Sequence, residues 1–226
     1  MADNDFTKIS GYKLIAIDDP PDFRDRAYRP SLGRLPDKLD PPAKLRVLDQ
    51  GQEGACTGFG LAAVINHFNR ERKRDYAVST RMLYEMARKF DEWPGEKYEG
   101  SSCRGAIKGW YAMGVCREKD WAYDPNKRGE LTVDRAKAAR ENTLGAYYRV
   151  QPKVSDFHAA LNETGALFVS ARVHTGWRPG SCKNGRIPYP RKELGGHAFA
   201  IVGYNRDGFW VQNSWGPKWG DGGKAL

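Results

Sequence analysis

No stretch of the 226 residues stays apolar for the roughly 18 positions that a bilayer span requires. No membrane partner is therefore expected. The first twenty residues, Met1 to Pro20, lack a basic start followed by an apolar run, so no secretory signal is read there and a cytoplasmic location is expected. Cysteine is scarce, with only Cys56, Cys103, Cys116 and Cys182, too few for a disulfide-stapled scaffold. Reduced thiols are expected, with a Cys103–Cys116 bridge as the open alternative. There is no Cys-x-x-Cys, and the four histidines stand far from paired cysteines, so neither a zinc site nor another cofactor is expected. Internal repeats are absent.

Charge of one sign is not scarce. The formal net charge is +9, from 37 Lys and Arg against 28 Asp and Glu. Nucleic acid is one reading of such a balance, but no nucleic-acid-binding motif accompanies it and no nucleic-acid partner is expected. The densest run, Arg70 to Asp75, is broken by acids and reads as the close of a helix, where cations favour the negative dipole end.

Residues 1–44 read as an extended lead-in, because Pro20-Pro21, Pro30, Pro36 and Pro41-Pro42 interrupt any regular element. Residues 45–226 then read as one domain, mainly helical over 45–144 and mainly β over 145–226. After Gly54 the apolar residues Leu61, Val64, Ile65 and Phe68 follow helical spacing, with Cys56 at the start of that helix. Further helices are predicted from Ser79 to about Phe90, from Ser102 or Cys103 to Met113, from Thr132 to Arg140, and from Ser155 to Asn162. Strands are predicted at 167–173, 198–204 and 209–212, with Asn205 to Gly208 as a hairpin turn. The fold class is α+β, a helical half and a sheet half with a cleft between them.

Cys56 at a helix start is a candidate nucleophile, since the positive dipole end and free N–H groups favour a thiolate. Alone it reads more often as a small buried hydrophobe. His197, placed at the beginning of a strand, is a candidate base. A short hairpin brings Asn213 beside it, so that an Asn carbonyl accepts from one imidazole nitrogen and leaves the other for the thiol. Gln50, six residues before Cys56, can join the Cys56 backbone N–H as an oxyanion donor. Trp215 and Trp219 read as core or as a shield over the His–Asn pair.

Three segments resemble the papain-like cysteine peptidases. They are Gln50-Gly51-x-x-Gly54-x-Cys56, Gly195-Gly196-His197-Ala198, and Asn213-Ser214-Trp215-Gly216-x-x-Trp219-Gly220. His197 lies roughly 140 residues after Cys56, within the family's usual spacing. The resemblance implies a papain-like two-lobed fold and a peptidase acting on protein or peptide substrates. It implies Cys56 as nucleophile, His197 as base and then acid, Asn213 as orienter and Gln50 in the oxyanion hole. It further implies that Gly100, Ser101 and Ser102 bind substrate backbone, and that Cys103, Ser170 and Ala198 lie near the main side-chain pocket, with Gly196 and Trp215 beside it. Ser170 and Gly196 offer no fixed charge, so an uncharged side chain is expected in that pocket.

The sequence departs from the family pattern. Glu53 stands where a disulfide cysteine is common, and Thr57 replaces the aromatic after the nucleophile. About fifty residues precede Gln50, too few for the family's long helical inhibitory propeptide. The chain also stops where members normally run on through further strand, so a shortened form is expected. Acyl transfer with the same residues, or a non-catalytic peptide-binding module, are the alternatives to hydrolysis.

Overall fold

Proline spacing keeps the described residues between 8 and 40 out of helices, and they run as an extended strap over the rest of the described residues. The structure, a computed structural model, describes residues 8–31, 33–91, 99–189 and 192–226. A two-residue hairpin, β1 (Lys8–Ile9) and β2 (Tyr12–Lys13), opens the strap. Beyond it, Ile15 bridges to Gly196, Ile17 to Ser102, Ala27 to Arg149 and Leu39 to Tyr204. An extended lead-in was expected here; the reach of the strap over both halves of the molecule was not.

The helical half holds α1 (Cys56–Glu71), α2 (Thr80–Lys89), α3 (Cys103–Met113) and α4 (Val133–Ala139). Short polar side chains start three of them. Ser79 accepts from the Met82 N–H, Ser102 from the Gly105 N–H and Thr132 from the Arg135 N–H. Gly114 ends α3. Leu61, Met82, Leu83, Trp110 and Trp121 form the core between these helices. The apolar stripe read for α1 understates its burial: from Cys56 to Ile65 every residue is buried, because the helix lies between the helical core and the sheet.

The sheet half starts with α5 (Val154–Thr164), which Gly165 ends in the left-handed conformation. A four-stranded antiparallel sheet follows, in the order β3 (Leu167–His174), β4 (Glu193–Asn205), β5 (Gly208–Gln212) and β6 (Lys224–Ala225). Leu161, Val173, Trp177, Phe199, Tyr204 and Trp219 fill its core. The β4–β5 hairpin turns at Arg206 and Asp207, with the Asn205 Oδ1 accepting from the Asp207 N–H at 2.8 Å. Strand β4 begins earlier than expected: Gly195 pairs with Val173 and Gly196 with Arg172, so His197 lies inside the strand and not at its start.

Where α1 crosses β4, a Cβ at Gly60 would stand 3.0 Å from the Phe199 nitrogen. The missing side chain sets that approach and draws the Cys56 helix against the His197 strand. No described helix is long and apolar enough to cross a membrane. Ser79 also donates to the Trp121 carbonyl at 2.6 Å, so its hydroxyl serves two buried groups. Ser79→Ala is expected to lower the unfolding free energy by about 1–2 kcal/mol. Urea denaturation checks this, and an unchanged midpoint counts against the cap as drawn.

Candidate active site

Five segments converge at the junction of the two halves. Cys56 sits in the first turn of α1, whose preceding residue, Ala55, makes no side-chain cap. His197 and Ala198 come from β4, and Asn213 from just beyond β5. Residues 48–50 run beside 214–216: the Gln50 N–H donates to the Ser214 carbonyl at 2.9 Å and the Gly216 N–H to the Leu48 carbonyl at 3.0 Å. The fifth segment is the strap around Ile15 to Ile17.

The His197 Nε2 is 2.8 Å from the Asn213 Oδ1, while Nδ1 has no hydrogen-bond partner. This is the division of labour expected of a base and its orienter. The Asn213 Oδ1 also accepts from the Ser214 N–H at 2.7 Å, which fixes the amide. Trp215 covers the imidazole, its ring 4.7 Å from that of His197, and Trp177 and Phe199 stand at 6.2 and 6.0 Å. Trp215 is thus a buried shield, itself stacked on Tyr12 of the strap.

Gln50 is wholly buried. Its Oε1 accepts from the Ser214 hydroxyl at 2.7 Å and its Nε2 donates one hydrogen to the Glu53 carbonyl at 3.0 Å. The second amide hydrogen makes no bond among the described residues. Glu53 itself forms a buried two-point pair with Arg81, at 2.9 and 2.8 Å. The Tyr123 hydroxyl bonds both the Glu53 carboxylate at 2.8 Å and the Gln50 carbonyl at 2.7 Å. Sequence reasoning noted Glu53 only as a missing cysteine. Its partner lies in the next helix and Tyr123 later still, and no local pattern joins them.

The expected pocket residues divide in two. Cys56, Cys103 and Ala198 form one small cluster, with Phe168 against it and Ser170 opposite Ala198 in the sheet. The Ser101 hydroxyl is 2.5 Å from that of Thr57, so the residue replacing the family's aromatic ties α1 to this wall. The Ser102 hydroxyl caps α3 and donates to Asp91 at 2.6 Å, its N–H also donates to Asp91 at 3.1 Å, and its carbonyl accepts from the Ala106 N–H. All four cysteines are free, and no Cys103–Cys116 bridge forms.

The strap occupies the cleft. The Ala16 N–H donates to the Gly196 carbonyl and the Ile17 N–H to the Ser101 carbonyl, both at 3.1 Å. Ala16 packs on the Cys56–Cys103–Ala198 cluster. A Cβ at Gly196 would overlap the Ala16 carbonyl, so that glycine is required by a backbone approach. Arg104 clamps the strap from α3: its N–H bonds Asp19 at 2.9 Å, and its guanidinium bonds the Pro20 carbonyl and Asp25, both at 2.6 Å. The described residues before α1 form no helix, yet they cover the cleft.

Covering changes the electrostatics. Cys56 and His197 are both fully buried. Burial pushes the Cys56 thiol up to about 11, although the N–H groups of Ala198, Thr57 and Cys56 favour the thiolate. Burial also draws His197 down to about 4, against the Asn213 bond that favours its cation. The covered pair is therefore a neutral thiol and a neutral imidazole, and the thiolate expected from the helix dipole is outweighed by desolvation.

A pH dependence follows. Between about 4 and its ordinary 6.5, His197 is neutral when folded but takes a proton when unfolded. The unfolded state then binds more protons, so stability falls as pH falls through this window, by about 3 kcal/mol in all for this group. Burial also lowers His67, His158 and His174, so the His197 share is read by difference. His197→Gln is expected to flatten the loss of thermal stability between pH 6.5 and 4; equal slopes for the two proteins would remove this account.

Comparison with known proteins agrees with the geometry. A family model described as papain family cysteine protease matches residues 35–225. The solved structure of xylellain, a cysteine protease from Xylella fastidiosa, is similar with a TM-score of 0.84 and 30% identity, over 97% of this chain and 90% of that one. Chymomexicain from Jacaratia mexicana is 27% identical over 193 residues, covering 83% of this chain and 84% of that protein. An uncharacterized peptidase C1-like protein, L477, of Acanthamoeba polyphaga mimivirus is 27% identical over 195 residues, 79% of this chain; the match spans 63% of the viral protein's length. With its α+β two-lobed fold and a family match over most of its length, the chain belongs to the papain family of cysteine proteases.

Proposed function

We propose that this chain hydrolyses peptide bonds through a Cys56–His197 pair and is held latent by its own residues 14–17. The observation that carries the reading is the His197 imidazole, bonded at Nε2 by Asn213 and free at Nδ1, on the strand that packs against Cys56. Once the strap leaves, water and substrate return to the cleft, and the desolvation that opposes proton transfer from Cys56 to His197 is relieved. The thiolate attacks the substrate carbonyl. The Gln50 amide and the Cys56 N–H receive the oxyanion. His197 then gives its proton to the leaving amine, and next activates the water that releases the acyl-enzyme.

Gly100, Ser101 and Gly196 line the backbone track, in our reading, because the strap already uses the Ser101 and Gly196 carbonyls. Cys103, Ser170 and Ala198 make the main side-chain pocket. They carry no fixed charge, which supports an uncharged side chain there. Four free cysteines support a reducing compartment, for which we propose the cytoplasm. The same residues serve transfer of the acyl group to an amine; mass spectrometry of products formed with a competing amine separates the two reactions.

Cys56→Ala and His197→Ala are expected to abolish peptide cleavage, and Asn213→Ala to reduce it less, since it removes orientation and not a reacting group. Measured turnover by Cys56→Ala at the parent rate rules the mechanism out. Latency has its own test. Ala16→Pro with Ile17→Pro removes the two N–H groups that hold the strap, each worth about 1 kcal/mol. Labelling of Cys56 by an irreversible thiol epoxide is expected to rise roughly tenfold to thirtyfold. An unchanged labelling rate in the folded double variant means that the strap does not gate the thiol.

A further inference from the structure

The positive charge of this chain is not evenly satisfied. Several exposed arginines have acids beside them, as Arg186 has Asp207 at 2.7 Å, Arg117 has Glu141 at 3.1 Å and Arg206 has Asp37 at 3.1 Å. One region instead gathers cations around a concavity. Behind the cleft, at the far end of α1, a cavity of about 510 Å³ is bounded by Lys44, Arg46, Arg70, Lys73 and Arg74, with Asp75 as its single acid. Among the described residues, Lys44, Arg46, Lys73 and Arg74 make no salt bridge. Arg70 reaches only Glu71, at 3.9 Å.

Helix capping does not account for these cations. The Arg72 N–H already donates to the Phe68 carbonyl, the Arg74 N–H to that of Asn69 and the Lys73 N–H to that of Arg70. The terminal carbonyls are thus served by backbone, not by side chains. Lys73 holds a φ of 57°, a left-handed conformation in which glycine is the relaxed choice. A cation is kept there against that preference.

The wall is also built. The Arg70 guanidinium is held from two sides, donating through Nη1 to the Lys44 carbonyl and through Nη2 to the His67 Nδ1 at 3.0 Å. His67 is buried, and burial together with Arg70 lowers its pKa, so it accepts as a neutral ring. Asn66 lines the same wall. Its Oδ1 is taken by the Val78 N–H at 3.0 Å, and its Nδ2 has no partner. Lysine and arginine cations gathered around a concavity suit phosphate oxygens, and a space of this size suits a small molecule better than a duplex.

We propose that this cavity binds a small free anion carrying two or more phosphate groups, at a site separate from the peptidase cleft. Titration calorimetry of the full chain with inorganic tripolyphosphate tests it, at 150 mM salt on the order of physiological strength. One saturable site is expected. Lys73→Gly with Arg74→Gln is expected to weaken it at least tenfold, while Arg186→Gln with Arg206→Gln, which removes the same charge elsewhere, leaves the affinity unchanged. Lys73→Gly relieves the left-handed lysine, so the first variant stays folded and its thermal midpoint serves as the check. Absence of saturable binding, parent affinity in the Lys73/Arg74 variant, or equal weakening in both variants overturns the proposal.

Discussion

The buried Glu53–Arg81 pair is the contact on which the site's geometry rests. Glu53 lies inside the seven-residue loop that carries Gln50 at one end and Cys56 at the other. Arg81 has no exposed side-chain surface. Removing two charges from water costs several kcal/mol per ion, and the cost is offset only by close, multiple bonds. The two-point fork, the Tyr123 hydroxyl, and the Asp124 carbonyl and Glu85 on Arg81 supply them. The Tyr123 ring also lies 4.6 Å beneath the guanidinium and meets Phe59 of α1 edge-on at 4.7 Å. Loss of one partner would strand the other, at about 3–5 kcal/mol. The family often crosslinks this loop by a cysteine at the Glu53 position. A disulfide limits distance, whereas a planar fork also fixes direction, and it does so without an oxidant.

The second constraint is desolvation, and it decides the chemical state of the Cys56 thiol. A helix N-terminus stabilises a nearby anion by about 0.3–2 kcal/mol. Full burial opposes that anion more strongly, as the direction of the Cys56 shift records. The thiol and the imidazole are thus poised by position and disarmed by the dielectric around them. Nothing in the pair itself need change for activity to appear; the surroundings must.

Local signals carried much of this structure. Ser79, Ser102 and Thr132 announced helix starts through their side-chain oxygens, Gly114 a helix end, and two strand-like runs around the Asn205–Gly208 turn a hairpin. The His197–Asn213 contact followed from that hairpin, because it spans only two adjacent strands. What stayed hidden was long-range. Gly195 and Gly196 read as a break before the strand, since glycine weakens strands in general; here they admit the Leu14 and Ala16 backbone, which periodicity does not encode. Glu53 and Arg81 lie 28 residues apart, and each alone reads as an ordinary surface charge. The proline-rich strap looked unstructured because its pairing partners belong to other elements. The basic run at 70–74 read as a helix close, and it is one; that four cations around the cavity lack acids is a property of the fold, not of the run.

The strap's grip on the cleft is thin, and that thinness is informative. Two N–H donors at 3.1 Å and one alanine side chain make the contact at the nucleophile, about 2 kcal/mol of hydrogen bonding at most. A free peptide held so weakly would bind poorly. The strap is not free: the Tyr12–Trp215 stack anchors it on one side of the cleft and the Arg104 clamp on the other, only a few residues apart. Such tethering confers an effective concentration on the order of millimolar or above, which multiplies a weak contact into a well-populated closed state. Release is then favoured by loss of an anchor as well as by loss of the cleft contacts themselves. The cleft meets the strap backbone through the Ser101 and Gly196 carbonyls, the small Ala16 side chain faces the Cys56 cluster, and the Ile15 side chain lies against Gly54.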